Sequence, residues 1–524
     1  MDSEAGCEQQ ACRISEVTLE SRMSEAESKK SDVTRESYIE EKKIIHDPQL
    51  LRATTVSSVL HCFGSVLQSN NGSLESWSKS AQVASIDDFL SHTWTTPRWI
   101  KFLTMALHYN YWISVILTTL VALITFSLSI TEVIPYIAMS DVPRVWYCKL
   151  FMFPAMLLSL CLGHEFLQLF NCQGPSMFLD KTCIHQTDIK LKELGISSLG
   201  AFLAKSKGMT IVLSDNYLQR LWTIYELASL LALNPDAQLH ILPVFLPKVV
   251  LASASICFFI NWLQEFLQVT SGDEWTFLVD FLLLLTIIVL IYVADYFVRI
   301  RETMLKAIEK FDVRQAKCLE EQDRSYVHDN IYHFLLGLGY IEEHYTQEMA
   351  LDKFNKLVHF VVPTALKVKF GRTGLSYKYC LLVSLGGCIG SHLDFLAMVF
   401  LRKEYSWMLK LAVLFATIDF CIVPVILGLA FWTGRWTARM ASARGRLLSQ
   451  IARMALVLVS CGVPVILLYN IIKSASDITA FISMPVVFVV SIIITRFIFR
   501  PLPSSRISLY APMNESVAEK SVGA

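Results

Sequence analysis

Phe178–Leu227 reads FLDKTCIHQTDIKLKELGISSLGAFLAKSKGMTIVLSDNYLQRLWTIYEL, and the pattern of this stretch decides the fold. A short apolar segment (Met177–Leu179) ends at Asp180. Leu194–Lys205 then has helical spacing and stops before Gly208, and Met209–Leu213 is a second apolar segment. Ser214 or Asp215 is expected to cap the next helix, where Leu218, Leu221, Trp222, Tyr225 and Ala228 make one apolar stripe. Working outward, Leu239–Leu246 (LHILPVFL) reads as a further strand, and Val83–His92 as an earlier one that runs into a polar turn. Thr96-Pro97 then starts a helix with Trp99, Ile100, Leu103 and Leu107 on one face. Strands that alternate with helices predict a parallel sheet covered by helices on both faces.

This unit sits in a chain of another character. The 524 residues are 53% hydrophobic and 18% charged, lean in charge for a soluble protein. Lys plus Arg (46) equals Asp plus Glu (46), so net charge calls for no nucleic-acid partner. The thirteen cysteines are scattered, several within apolar runs, with no spacing for a disulfide framework or a metal. Apolar runs long enough to span a bilayer fall at Tyr111–Ile130, Trp146–Phe170, Val249–Phe266, Trp275–Phe297, Tyr379–Leu401, Trp407–Trp432, Leu448–Ile472 and Ile482–Phe499. The third is the weakest, interrupted by Asn261, Gln264 and Glu265. Basic residues follow the second, fourth, sixth and eighth runs (Lys181, Arg299, Arg435 and Arg500 among them), whereas the intervening loops are short and carry Asp273, Glu274 and Asp477. By the positive-inside rule both termini then face the cytosol, although Arg402 and Lys403 dissent.

The expected fold is a polytopic α-helical membrane protein of about eight spans, with a cytosolic three-layer α/β domain split by the first transmembrane hairpin. Its expected parts are a disordered polar arm (1–82), the first part of the α/β domain (83–110), the hairpin (111–170), the second part (171–248), spans three and four (249–298), a cytosolic helical segment (299–378), spans five to eight (379–500) and a cytosolic tail (501–524).

The order D-x-F-L-S-H, F-L-D, I-V-L-S-x-N-Y and W-x-x-x-E-L resembles a Toll/interleukin-receptor (TIR) domain. FLDKTCIHQ (Phe178–Gln186) is also similar to the signature of the related heterokaryon-incompatibility domain. With SHTW and RLWTIYELA, the layout resembles a multipass TIR-like group of microalgae whose function is largely unassigned. The chain departs from the pattern at Thr223, where the family usually has Cys, and in the membrane hairpin that divides the domain.

The resemblance implies a role for Glu226. Enzymatic TIR domains use this glutamate to cleave the nicotinamide–ribose bond of NAD, which makes Glu226 the candidate catalytic residue and NAD the candidate substrate. No other cofactor and no metal is called for. Ser91, His92 and Asp180, at strand C-terminal ends, and Trp222, one turn before Glu226, are the candidate nucleotide-binding residues. The bland readings stand beside these: Trp222 as core, Glu226 as a surface charge, and His92 and His185 as polar turn residues. Many TIR domains only assemble with one another, so self-association or pairing with other TIR-like domains joins the bilayer among the expected partners.

A second reading comes from acids within the apolar runs. A carboxylate at the bilayer centre costs about 2.5–3.5 kcal/mol, so Asp280, Asp394 and Asp419 are candidates for an intramembrane polar site, whereas Asp295 near a span end is expected to snorkel. Three functions therefore stay open: a membrane-anchored TIR-like signalling protein that cleaves or senses NAD-type nucleotides, an ion or proton transporter or channel with a TIR-like regulatory domain, and a non-enzymatic scaffold or receptor that assembles through its TIR-like domain.

Overall fold

A computed structural model describes residues 38–500, except 39, 46, 140–141, 235, 272–275, 319–320, 372, 439–442, 458 and 460–476. Strands β1 (Arg52–Thr55), β2 (Ala81–Gln82), β3 (Ile86–Ser91), β6 (Ser176–Phe178), β7 (Ser206–Leu213) and β8 (Gln238–Pro243) form one sheet in the order β2-β1-β6-β3-β7-β8. A separate hairpin, β4 (Ile137–Met139) with β5 (Val142–Arg144), stands apart from it.

Within the sheet, β6, β3, β7 and β8 are parallel, with Phe89 opposite Phe178 and Ser91 opposite Ile211. The Phe89 and Phe178 rings stack with centroids 4.6 Å apart. β3 and β7 are buried almost throughout, as central strands covered on both faces must be. Two stretches of chain on either side of 111–170 thus complete one sheet. The segment between them is a helical pair, α4 (Tyr111–Ile130) and α5 (Tyr147–Gln168), capped by the β4–β5 hairpin. Asn110 donates to the Leu160 carbonyl (2.8 Å) and Ser159 to Ser114 (2.9 Å), which pins the base of the pair. The chain therefore returns beside the point where it left.

The expected disordered arm is corrected in its later part. Ordered contacts begin before β1, with Tyr38 Oη donating to Asn330 (2.9 Å) and a 3-10 turn at Pro48–Leu50, after which β1 runs antiparallel on β6, β2 pairs with β1, and α1 (Val56–Gly64) and α2 (Leu74–Ser78) lie between them. β1 lies between the two-residue edge strand β2 and β6, with Ala53 and Thr54 buried, and Val59, Leu60, Val66 and Leu67 bury against Phe102 and Met105 of α3 (Arg98–Tyr109). The sheet is therefore mixed rather than wholly parallel. Residues 1–37 lie outside the described part.

Downstream, the expected second helix is two short ones, α7 (Ile189–Ser197) and α8 (Leu199–Ala204), preceded by the single turn α6 (Asp180–Cys183). The next helix, α9 (Leu221–Leu233), starts later than Ser214 or Asp215 would have it, after a 3-10 turn at Tyr217–Gln219. The Thr223 hydroxyl closes that turn by donating to the carbonyls of Tyr217 (2.6 Å) and Arg220 (2.8 Å), a role the usual thiol would fill poorly.

The rest is helical: α10 (Leu246–Ser271), α11 (Thr276–Glu309), α12 (Glu321–Gly337), α13 (Gln347–Phe370), α14 (Tyr377–Gly387), α15 (Ile389–Leu401), α16 (Tyr405–Thr417), a π turn at Ile418–Ile422, α17 (Val423–Ala438), α18 (Ala443–Val457) and α19 (Asp477–Ile498). Among the described residues four helices are long and apolar enough to cross a membrane: Tyr111–Ile130, Tyr147–Gln168, Leu246–Leu267 and Tyr405–Arg435. A fifth is obtained if α14 and α15, bent by 48°, count as one. The weak third run is among them, and two of its polar residues are paired. Asn261 donates to the carbonyls of Cys257 and Gly387, and Glu265 meets Lys149 (3.2 Å) and Arg144 (3.7 Å). The run expected at Leu448–Ile472, and the loops at both Asp273-Glu274 and residues 439–442, fall wholly or partly outside the described residues.

Candidate functional site

Three strand ends bring the site together. β3 delivers Ser91 and, beyond it, His92, Thr93 and Trp94; β6 runs into Asp180; β7 runs into Ser214. The helix α9 then crosses these ends and sets Glu226 against them. Tyr217 Oη lies 2.6 Å from Ser91 Oγ, which donates to Glu226 Oε2 at 2.5 Å. Ser91 is fully buried, Tyr217 nearly so, and Glu226 partly.

Burial pushes the Glu226 carboxyl up to about 8; the Ser91 hydrogen bond works against this and the nearby Asp180 charge adds to it. Burial also raises Asp180, opposed by the donors Trp94 Nε1 (3.1 Å) and the Lys181 amide (2.6 Å) and by the cations of Lys101 and Lys181. Lys101 is wholly buried, and burial brings its ammonium down to about 8. Its Nζ lies 3.5 Å from the Thr93 carbonyl and 4.8 Å from the centre of the Trp94 ring, with Lys181 approaching the same ring at 5.9 Å. Burial, then Lys101, hold His92 well below the usual imidazole range, so its ring is neutral, edge-on to Trp94 at 4.5 Å. The Nε2 atom of His92 is buried without a hydrogen-bond partner. Thr93 Oγ1, 3.3 Å from Ser214 Oγ, ties the β3 end to the β7 end.

Ser91 and Glu226 are thus in contact, with Asp180 nearby and His92 linked to it through Trp94. Trp222 is directed elsewhere. Its indole donates to Asp323 of α12 (2.9 Å) and its ring faces Tyr225 and Tyr326, because the segment after residue 299 packs along the outer side of α9. His185 accepts from the Asp188 amide and packs on Trp77, a structural turn residue. The sequence reading missed Tyr217, Trp94 and Lys101. A Tyr just after a strand and a Trp-and-Lys pair near a helix start were the available signals, weak ones because aromatic residues in such places are usually core.

The apolar-run acids separate. Both carboxylate oxygens of Asp394 are taken by the Cys148 and Lys149 amides (2.8 and 3.0 Å), so it caps α5. Asp419 pairs with His392 at 2.8 Å. Asp295 does not snorkel: it is buried and accepts from Arg453 and Gln450. Asp280 is on α11, but its side chain lies outside the described part. No group of three metal-binding side chains occurs among the described residues.

Residues 177–254 match the TIR domain family, and the chain carries a TIR domain there. The match begins after the helical pair, so β3 and Ser91 join that domain through strand pairing rather than by the match. No curated protein and no solved structure matches the chain.

Proposed function

We propose that the chain is a membrane-anchored TIR signalling protein whose Glu226 site handles the nicotinamide–ribose end of an NAD-type dinucleotide. A TIR domain points to signalling or adaptor work, and TIR domains commonly self-associate or pair with one another. What carries the finer reading is the run Tyr217–Ser91–Glu226, assembled from separate stretches beside Asp180.

Nicotinamide leaves as a neutral base from a cationic ring, so the reaction needs no general acid. It needs an anion near the ribose as positive charge builds there. At rest Glu226 is largely protonated at neutral pH and its Oε2 is occupied by Ser91. A cationic nicotinamide ring entering beside it favours the carboxylate form, so the substrate itself recruits the anion. Lys181, partly exposed and 5.9 Å from the centre of the Trp94 ring, is the cation offered to the diphosphate, while the wholly buried Lys101 acts on the site through its charge.

The anchor is the set of four or five long apolar helices, extended on this reading to about eight spans with both termini and the sheet on the cytosolic side. A scaffold that only assembles is the second reading, favoured by the fact that Glu226 already has a donor within the chain. The purified full chain, incubated with NAD, should release nicotinamide, and Glu226→Ala should abolish it while leaving the protein monodisperse. No release, or the same release from Glu226→Ala, ends the catalytic reading and leaves assembly.

A further inference from the structure

We propose that Asp419 and His392 form a proton-loading site at mid-depth in the apolar helices, built on two deliberate breaks in helical geometry. This rests on reading those helices as membrane-spanning, and goes beyond the TIR site.

Asp419 sits next to the centre of the 31-residue apolar helix Tyr405–Arg435, where a carboxylate is most costly. The helix widens there into the π turn Ile418–Ile422, a rare geometry concentrated at functional sites. Across from it the chain breaks between Gly387 and Ile389, and α14 and α15 diverge by 48°. A helix interrupted at membrane depth is tolerated where it lines a polar site. The two breaks hold each other: Ser384 Oγ donates to the Asp419 carbonyl and Tyr377 Oη to the Phe420 carbonyl, both at 2.9 Å. A Cβ on Gly387 would come within 2.5 Å of Cys257 Cβ and 3.0 Å of the Ala254 carbonyl, so the break is packed, not frayed.

Into this frame points a carboxyl group that is only half satisfied. Its Oδ2 lies 2.8 Å from His392 Nδ1, whereas Oδ1 is buried with no hydrogen-bond partner. His392 stacks on Phe415 (centroids 4.3 Å apart) and its side chain is 24% exposed, against 5% for Asp419. The imidazole is therefore the accessible member and the carboxyl the enclosed one. A carboxylate beside a neutral imidazole leaves one net negative charge; a hydronium proton taken up at the exposed edge of the imidazole, with the Nδ1 proton passing to Oδ2 2.8 Å away, cancels it, releases a water and leaves the imidazole neutral. The other titratable groups on the elements packed against the turn include Tyr377, Lys378, Tyr379 and Cys380 on α14, Cys388 at the break, Cys421 in the turn itself, Tyr405 and Lys410 on α16, Arg435 on α17 and Arg496 on α19. Asp394 is excluded because two backbone amides already hold it.

The test uses the full chain in phosphatidylcholine vesicles. Flotation with the vesicles checks the membrane reading by itself; failure to float ends that reading first. For protein that floats, the infrared difference spectrum between low and high pH should contain a carboxylic C=O band that Asp419→Asn removes and Asp394→Asn keeps. Should Asp419→Asn not fold, His392→Gln is read instead, and should move the titration midpoint of that band. The proposal is overturned by a spectrum that Asp419→Asn leaves unchanged, by a midpoint indifferent to His392→Gln, or by a band that responds to sodium or potassium at fixed pH, which would mark a metal-cation site.

Discussion

Replacing Glu226 by glutamine should stabilise the region around α9 at neutral pH and remove a pH dependence. The folded protein holds this carboxyl protonated up to about 8, against 4.5 in the unfolded chain. Folding therefore takes up a proton throughout that interval, and the stability linked to it is complete below about pH 4.5 and lost as pH rises through about 8. At about 1.4 kcal/mol per pH unit, the uptake at pH 7 costs about 3 kcal/mol. Glutamine is neutral at every pH and keeps an oxygen for Ser91, but its amide NH2 has to find a partner, which takes back about 1 kcal/mol. The expected net gain is about 2 kcal/mol at pH 7. Between pH 5 and 8 the wild type should lose about 3 kcal/mol relative to the variant, about a hundredfold in the opening equilibrium. Hydrogen exchange of the α9 peptide in detergent, corrected for intrinsic rates, reads this directly. Asp180, His92 and Lys101 titrate too, but in both proteins, so the difference isolates Glu226. Parallel curves for the two proteins would mean that the carboxyl is solvated, and the reasoning from burial would fail.

Ser91→Ala removes the hydrogen bond that opposes the rise, so the Glu226 carboxyl should titrate above its wild-type midpoint, read from its infrared band against Glu226→Gln. Asp323→Ala deprives the Trp222 indole of its acceptor and should cost about 1 kcal/mol, seen as faster exchange in α9 with unchanged β3. Gly390→Ala would set a Cβ 2.6 Å from Lys149 Cα, on backbone that cannot swing aside, and should cost about 1–3 kcal/mol, measured as a lower melting temperature in detergent. Asp394→Asn keeps one acceptor oxygen and leaves either the Cys148 or the Lys149 amide unpaired, which should lower the same melting temperature by a comparable energy, about 1–3 kcal/mol.

The strands β3, β6, β7 and β8 were legible because buried parallel strands are short apolar runs between turn residues, and four of them recur at βα spacing. Their convergence on Glu226 could be read for the same reason: residues at strand ends meet wherever the sheet is parallel. β1 was not, since four residues with one Arg and two Thr look like any polar linker until an edge is there to receive them. The apolar stripe sets Trp222 beside Tyr225, and the structure adds a partner the sequence does not show, Asp323. Periodicity tells which residues share a face of α9, and says nothing about a segment a hundred positions later that covers it. Asp394 shows the same limit more sharply, since its partners at the start of α5 lie 245 and 246 positions away and leave no local trace.

That covering segment also links the two halves of the molecule. α11 is one uninterrupted helix of 34 residues, about 50 Å long at 1.5 Å per residue. Its last turns lie beside the sheet: Met304, Ile308 and Phe311 wall a cavity of about 490 Å³ together with Ser214 and Leu218. Just beyond, the Lys317 amide donates to the Gln219 carbonyl (2.6 Å) and the Lys317 carbonyl accepts from the Leu221 amide (3.1 Å), the first residue of α9. A shift of α11 along its axis would be felt at that start, little more than one turn before Glu226.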